Sequence, residues 1–196
     1  MTYIVTLILA ASLILMPAPA LANAGVPMLF ITLPAMLVAL LPIIFIEMFV
    51  LKVMLDSTWR QAALVSSVAN AASTLVGVPL AWFGFLAIEG AVGYPAGYFD
   101  IHVGPVLSAI VFAAWLGPSE QDLYWMVPFS SMVLLVGYFY ISYFFEKAIT
   151  ARLLKDRPAQ RISLTSWRAN LVSYALLELL AGGFLVYSIV TKKPGI

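Results

Sequence analysis

Residues 27 to 54 read PMLFITLPAMLVALLPIIFIEMFVLKVM, and the only charged side chains in that run are Glu47 and Lys52. Long apolar runs recur at about 62–87, 125–147 and 168–190. A helix needs about 20 such residues to cross roughly 30 Å of hydrocarbon. In lipid the backbone N–H and C=O groups must bond within the spanning structure, so only helices and closed barrels survive there. Continuous apolar runs, rather than strict alternation, select the helix. Composition agrees: 63% of the 196 residues are hydrophobic and 10% charged, where a soluble domain has about a quarter charged. The sequence predicts an all-α integral membrane protein with four core transmembrane helices.

Several chemistries are excluded by what is missing. The chain has no Cys and a single His, His102. Disulfides, thiolate metal sites and a thiol nucleophile are therefore out, as is any metal or haem site needing more than one imidazole from this chain. No nucleophile elbow or phosphate-cradling glycine loop occurs. The expectation is no catalytic residue, no metal and no cofactor, and no nucleic-acid partner. His102 lies two residues from Asp100 in a predicted outer loop, where a lone His is expected as an exposed side chain or partner contact.

Residues 1–24 carry an apolar stretch, Pro17 and Pro19, then Ala22-Asn23-Ala24. This pattern predicts a signal peptide, with an N-terminal transmembrane helix as the alternative because no Lys or Arg precedes it. Residues 25–196 then form one helical membrane domain. Repeat one covers about 27–87, an outer region 88–124, and repeat two about 125–190. Residues 88–104 hold Gly90, Gly93, Pro95, Gly97 and Gly104 and predict a loop. Val106–Leu116 is apolar but too short to cross, so it predicts a re-entrant or interfacial helix on the outer side.

Charge sets the orientation. Lys147, Arg152, Lys155, Arg157, Arg161 and Arg168 cluster in one connection, and Lys52 and Arg60 flank another. Between residues 61 and 146 there is no Lys or Arg, while Glu89, Asp100, Glu120 and Asp122 lie there. By the positive-inside rule the 52–61 and 147–168 connections face the cytoplasm and 88–124 faces out, in a multi-pass protein of the inner (plasma) membrane. The 147–168 connection is basic and amphipathic, so anionic lipid head groups are an expected contact. Lys192 and Lys193 fall on the wrong side. Trp82, Trp115, Trp125, Tyr94, Tyr98 and Tyr124 are expected in an outer aromatic belt.

Glu47, in F-I-E-M-F-V-L-K, finds an echo in Glu146, in Y-F-F-E-K. After each comes a basic connection and then a Trp-Arg pair, Trp59-Arg60 and Trp167-Arg168. The Glu-to-Trp separation is 12 residues in the first copy and 21 in the second. Eleven residues past Trp stand Asn70 and Glu178. These correspondences predict two tandem helical hairpins in a parallel repeat, with the pseudo-axis along the membrane normal. In this reading Trp59, Arg60, Trp167 and Arg168 anchor the inner boundary. Glu47 and Glu146 either pair with the inner arginines or act as functional carboxyls. Asn70 sits on a seam of small residues, A-L-V-S-S-V-A-N-A-A-S, that lets two helices approach closely. Glu178 lies near mid-span without a basic neighbour, where a charge is most expensive, and a hydrogen bond to Asn70 is one way to keep it.

Two functions follow as expectations. The first is an accessory, assembly or scaffold subunit packing against a larger membrane complex, with other subunits or copies of itself as partners beside the lipid bilayer. The alternative is a small transporter or channel that uses membrane-embedded carboxylates for proton or cation coupling. A subunit should hold Asn70 and Glu178 in a dry bundle or against a partner. A transporter should place both on one water-accessible cavity.

Overall fold

The structure, a computed structural model, describes residues 25–98, 104–117 and 121–192. Four helices among the described residues are long and apolar enough to cross a membrane. The first is α1 (Leu29–Met54). The second starts as α2 (Trp59–Ala72), passes through a π-helical turn (Ser73–Gly77) and continues as α3 (Val78–Tyr98). A short helix, α4 (Pro105–Val111), precedes the third and fourth long helices, α5 (Leu123–Leu153) and α6 (Ala159–Thr191). The chain is thus an all-α membrane protein, with α1 packed on α2 and α5 on α6, and further contacts between α1 and α6 and between α2 and α5.

Local sequence explains the helix boundaries at the basic end of the bundle. Thr58 caps α2: its Oγ1 accepts from Gln61 N, while Gln61 Oε1 accepts from Thr58 N at 2.9 Å. This reciprocal box satisfies two of the four orphan donors of a helix start. Asp56, at φ +49°, makes the left-handed bend between α1 and α2. Arg161 Nη2 donates to Met54 O and to Asp56 Oδ2, and Arg157 Nη2 donates to Asp56 O. Arginines before and just inside α6 therefore cap the end of α1 and tie the two connections at this end together.

The opposite end is closed by residues 104–117. A two-residue strand, β1 (Val26–Pro27), pairs antiparallel with β2 (Trp115–Leu116). Gly25 adopts φ +84°, and a Cβ there would fall 2.1 Å from Leu116 O; only glycine fits. Trp82 Nε1 and Met28 N both donate to Ala114 O, Glu89 Oε2 accepts from Trp115 N, and Ser130 Oγ donates to Ala109 O.

Several expectations need correction. Residues 88–98, predicted as loop, continue α3; the glycines suggested a break, but a membrane-embedded backbone gains from unbroken internal bonding. The expected 147–168 connection is mostly helical, since α5 runs to Leu153 and α6 starts at Ala159. Trp167 therefore does not open a helix as Trp59 does; it lies well inside α6 against Phe139, with ring centroids 4.8 Å apart. Trp82 is buried in the bundle rather than in a belt. Val106–Leu116 resolves into a seven-residue helix and a strand, neither long enough to cross. Lys192 is held at this end by Gln121 O at 2.8 Å and by the Tyr124 ring. Residues 1–24 and His102 lie outside the described residues.

Candidate functional site

The core is divided into three layers. At the basic end Leu51, Leu55, Ala62, Val65, Leu154 and Ile162 form one apolar cluster. Toward the other end Met36, Val78, Trp82, Leu134, Tyr138 and others form a larger one. Between them lies a layer of buried polar side chains centred on Glu47 and Glu146, which are 2% and 3% exposed.

The helix periods put these groups on inward faces. On α1 the buried positions are Thr32, Met36, Ile43, Glu47 and Leu51, a stripe of helical spacing. On α5, Tyr138, Ser142, Glu146 and Thr150 are buried every fourth residue. The third contribution is repeated. Ala62, Val65, Ser66, Ala69, Asn70 and then Ser73 are buried along the second span, and Ile162, Thr165, Ser166, Ala169, Asn170 and Ser173 along α6. Both hold the pattern Ser-x-x-Ala-Asn-x-x-Ser, at 66–73 and at 166–173. Small residues let the backbones approach closely enough for short polar side chains to bond across.

The hydrogen bonds cross between the hairpins. Asn70 Nδ2 donates to Glu47 Oε2 at 2.6 Å, within the first hairpin. Ser173 Oγ reaches Glu47 Oε1 from α6 at 2.6 Å. In the mirror arrangement Asn170 Nδ2 donates to Glu146 Oε2 at 2.5 Å, and Ser73 Oγ reaches Glu146 Oε1 at 3.2 Å. The two carboxyl groups are within hydrogen-bonding reach of each other. Each asparagine amide spends its second N–H on the carbonyl of a serine one turn back, Ser66 or Ser166. Ser66 Oγ donates to Ile44 O, whereas Ser166 Oγ and Asn170 Oδ1 are buried without a partner.

The serines have two acceptors each. Ser73 Oγ also lies 3.2 Å from Asn70 O, and Ser173 Oγ 3.2 Å from Asn170 O. A hydroxyl has one hydrogen and two lone pairs. It can donate to a carboxylate, or donate to the backbone carbonyl while accepting from a carboxylic acid O–H. Either protonation state of the neighbouring Glu is thus accommodated by rotating one hydroxyl. One turn beyond the pair, Ser142 Oγ and Tyr174 OH are 2.7 Å apart, and further along Thr32 Oγ1 and Tyr138 OH are 3.2 Å apart.

The structure brings together Glu47, Glu146 and Asn70 among the residues the sequence singled out. It does not bring in Glu178, which is half-buried on the outer surface of the α5–α6 pair, among Met132, Ala175, Leu179 and Gly182. The Glu178–Asn70 bond is not formed; Asn70 holds Glu47 instead. Neither Arg60 nor Arg168 pairs with a carboxylate of the site; both are exposed. Their distance follows from depth, because Glu47 lies seven residues before the end of α1, about 10 Å at 1.5 Å per residue. Trp59 is 53% exposed and stacks near Phe49 and Lys52. Asn170, Ser73 and Ser173 escaped the sequence reading because the Trp-Arg pairs set the alignment of the two hairpins. The repeated Ser-x-x-Ala-Asn-x-x-Ser, with Glu–Asn separations of 23 and 24 residues, was the better signal.

Comparison with known proteins adds nothing to this geometry: no protein-family model matches the chain, and no curated protein or solved structure is significantly similar to it.

Proposed function

We propose that the chain is an accessory, assembly or scaffold subunit that packs against a larger membrane protein through its α5–α6 face. The observation that carries this reading is Glu178. It stands on α6 between two shallow apolar grooves, one lined by Met132, Leu179, Gly182 and Val186 and the other by Val136, Tyr140 and Leu171. No hydrogen bond from the described residues reaches it. Lipid tails offer a carboxyl group no partner, and intramembrane ionisable residues normally face protein or water. A partner helix presenting a hydrogen-bond donor at that depth supplies what the chain itself lacks. The glycines at 182 and 183 permit close approach. The most apolar stretch of α6 is also the least covered of the four spans, with 6% of it buried.

The basic connections at 52–61 and around 147–168 face the cytoplasm of a plasma-membrane protein, where anionic lipid is a contact. The α1–α2/α3 and α5–α6 hairpins are tandem copies of one unit, supported by the matched Glu, Asn and Ser positions. The test is co-purification from native membrane in a mild detergent, comparing the wild type with Glu178→Leu and Gly182→Leu. A stoichiometric larger partner that is lost in both variants, with monodispersity of the chain unchanged, supports the subunit. A lone chain from native membrane overturns it.

A small transporter or channel remains the second reading, and one observation favours it: the polar stripe from Thr150 through Glu146, Ser142 and Tyr138 to Thr32, which runs along the seam between the hairpins. Reconstituted vesicles loaded with a pH-sensitive dye test it, through proton flux that Glu146→Gln abolishes.

A further inference from the structure

The Glu47–Glu146 layer has an unusual balance of charge and oxygen. Its four carboxyl oxygens each accept one hydrogen bond, from Asn70, Ser173, Asn170 and Ser73. Donors at every oxygen favour the ionised form of both groups, yet two carboxylates in contact in a sealed core require positive charge beside them. The described residues offer none. The groups facing the pair are Glu47 from α1, Glu146 from α5 with Tyr138 further along, and Tyr174 from α6; α2 and the π-helical turn give only the neutral Asn70 and Ser73. Among the described residues no Lys, Arg or His bonds to either carboxyl group.

A second observation points to a ligand. Asn170 is wholly buried, its amide nitrogen holds Glu146, and its amide oxygen has no partner. Ser166 Oγ, one turn back and also buried, is unpartnered as well. Buried acceptors without a partner are rare and call for an explanation. The π-helical turn falls at the same place, beginning at Ser73, and such single-turn insertions concentrate at functional sites.

We propose that this layer is a binding site for a hard divalent cation of calcium size, which enters in exchange for the carboxyl protons. The donor set is oxygen only: two carboxyl groups, the Ser73 and Ser173 hydroxyls, and the Asn170 amide oxygen. Hard cations take such oxygens, and calcium accepts six to eight of them in adaptable geometry at about 2.3–2.6 Å. Charge balances without help from the surroundings. Each carboxyl O–H bond breaks, carboxylate–cation bonds form, and about two protons leave to water per ion bound, so the layer is neutral before and after. A monovalent ion would leave one proton behind. With the Ser73 and Ser173 hydrogens on Asn70 O and Asn170 O, loss of the carboxyl protons frees the hydroxyl lone pairs for the ion. Glu178 takes no part in this layer, which is independent of the docking of a partner.

The test uses the full chain in nanodiscs of zwitterionic lipid, stripped with a chelator and titrated with CaCl2, then MnCl2, in weak buffer at neutral pH. The thermal midpoint and the released protons are read together. The expected result is a saturable rise of the midpoint with about two protons released per ion. Both signals should vanish in Glu47→Gln and Glu146→Gln, and apparent affinity should fall about tenfold or more in Ser73→Ala and Ser173→Ala. The serine variants keep both carboxyl groups and carry the test if a glutamine variant does not fold. Binding that persists unchanged in the variants places the ion elsewhere and overturns the proposal. So does the absence of any effect of either ion, including the case where acid alone stabilises the protein and the layer holds only protons.

Discussion

Asn70 and Asn170 each join a serine carbonyl on their own helix to a carboxyl group on the neighbouring one. Removing either amide leaves a buried carboxyl oxygen without its donor, which typically costs about 1–3 kcal/mol. Asn170→Leu and Asn70→Leu should therefore lower the thermal midpoint in detergent by comparable amounts. A much smaller loss at one of them would mean that the two halves of the layer are not equivalent. Gly137 is a second informative residue. A Cβ there would come within 2.1 Å of the Phe85 ring, so Gly137→Ala should destabilise by about 1–3 kcal/mol through overpacking. Adding Phe85→Leu should recover much of that loss; failure to recover would show that backbone contact, not the ring, sets the spacing of α3 and α5. At this scale the sequence disclosed Glu47, Glu146 and Asn70 as polar residues in apolar runs. It did not disclose their partners. Serine in a membrane helix is common, and which serine matters depends on which helix lies opposite.

Among the elements, the bundle's basic end shows how a charge cluster becomes structure. Arg161 caps α1 through Met54 O and meets Asp56 at 3.0 Å, with both side chains largely exposed. Exposed pairs of this kind contribute little, in the range of 0–1 kcal/mol. Arg161→Ala should therefore change unfolding stability by less than about 1 kcal/mol. A larger loss would show that the carbonyl cap of α1, rather than the ion pair, carries weight. The spans were legible from their apolar runs, and α1 matches its expected end at Met54. The end of α5 and the start of α6 were not, because polar and basic residues extend these helices beyond the apolar stretch. Helical bonding continues as long as caps and tertiary contacts support it, whatever the side chains' preference for lipid or water. The same competition turned the glycine-rich stretch after residue 88 into a continuation of α3. The π-helical turn at Ser73–Gly77 has no signature that single-residue patterning detects.

For the whole molecule, the arrangement has two apolar clusters sealing one polar layer, capped at one end by residues 104–117 and tied at the other by Arg157 and Arg161. The native chain contains no Cys, so single cysteines report sidedness cleanly. Cysteine at Asp56 or Asp156 should react with an impermeant maleimide from one side of sealed vesicles, and cysteine at Gln121 from the other. Labelling of all three from the same side would contradict a four-span bundle. The amino-acid sequence by itself determined the solvent of this protein, its helical class and the four long apolar helices among the described residues, because transfer of long apolar runs into hydrocarbon and the need to bond every backbone group there are local properties of each segment. Only the tertiary structure decided that Glu47 faces Glu146, that Asn170 and not Glu178 matches Asn70, and that Glu178 looks outward. Those outcomes depend on helix rotation and on which hairpin packs against which, and short-range hydrogen bonds across a close interface are made only after that packing is set.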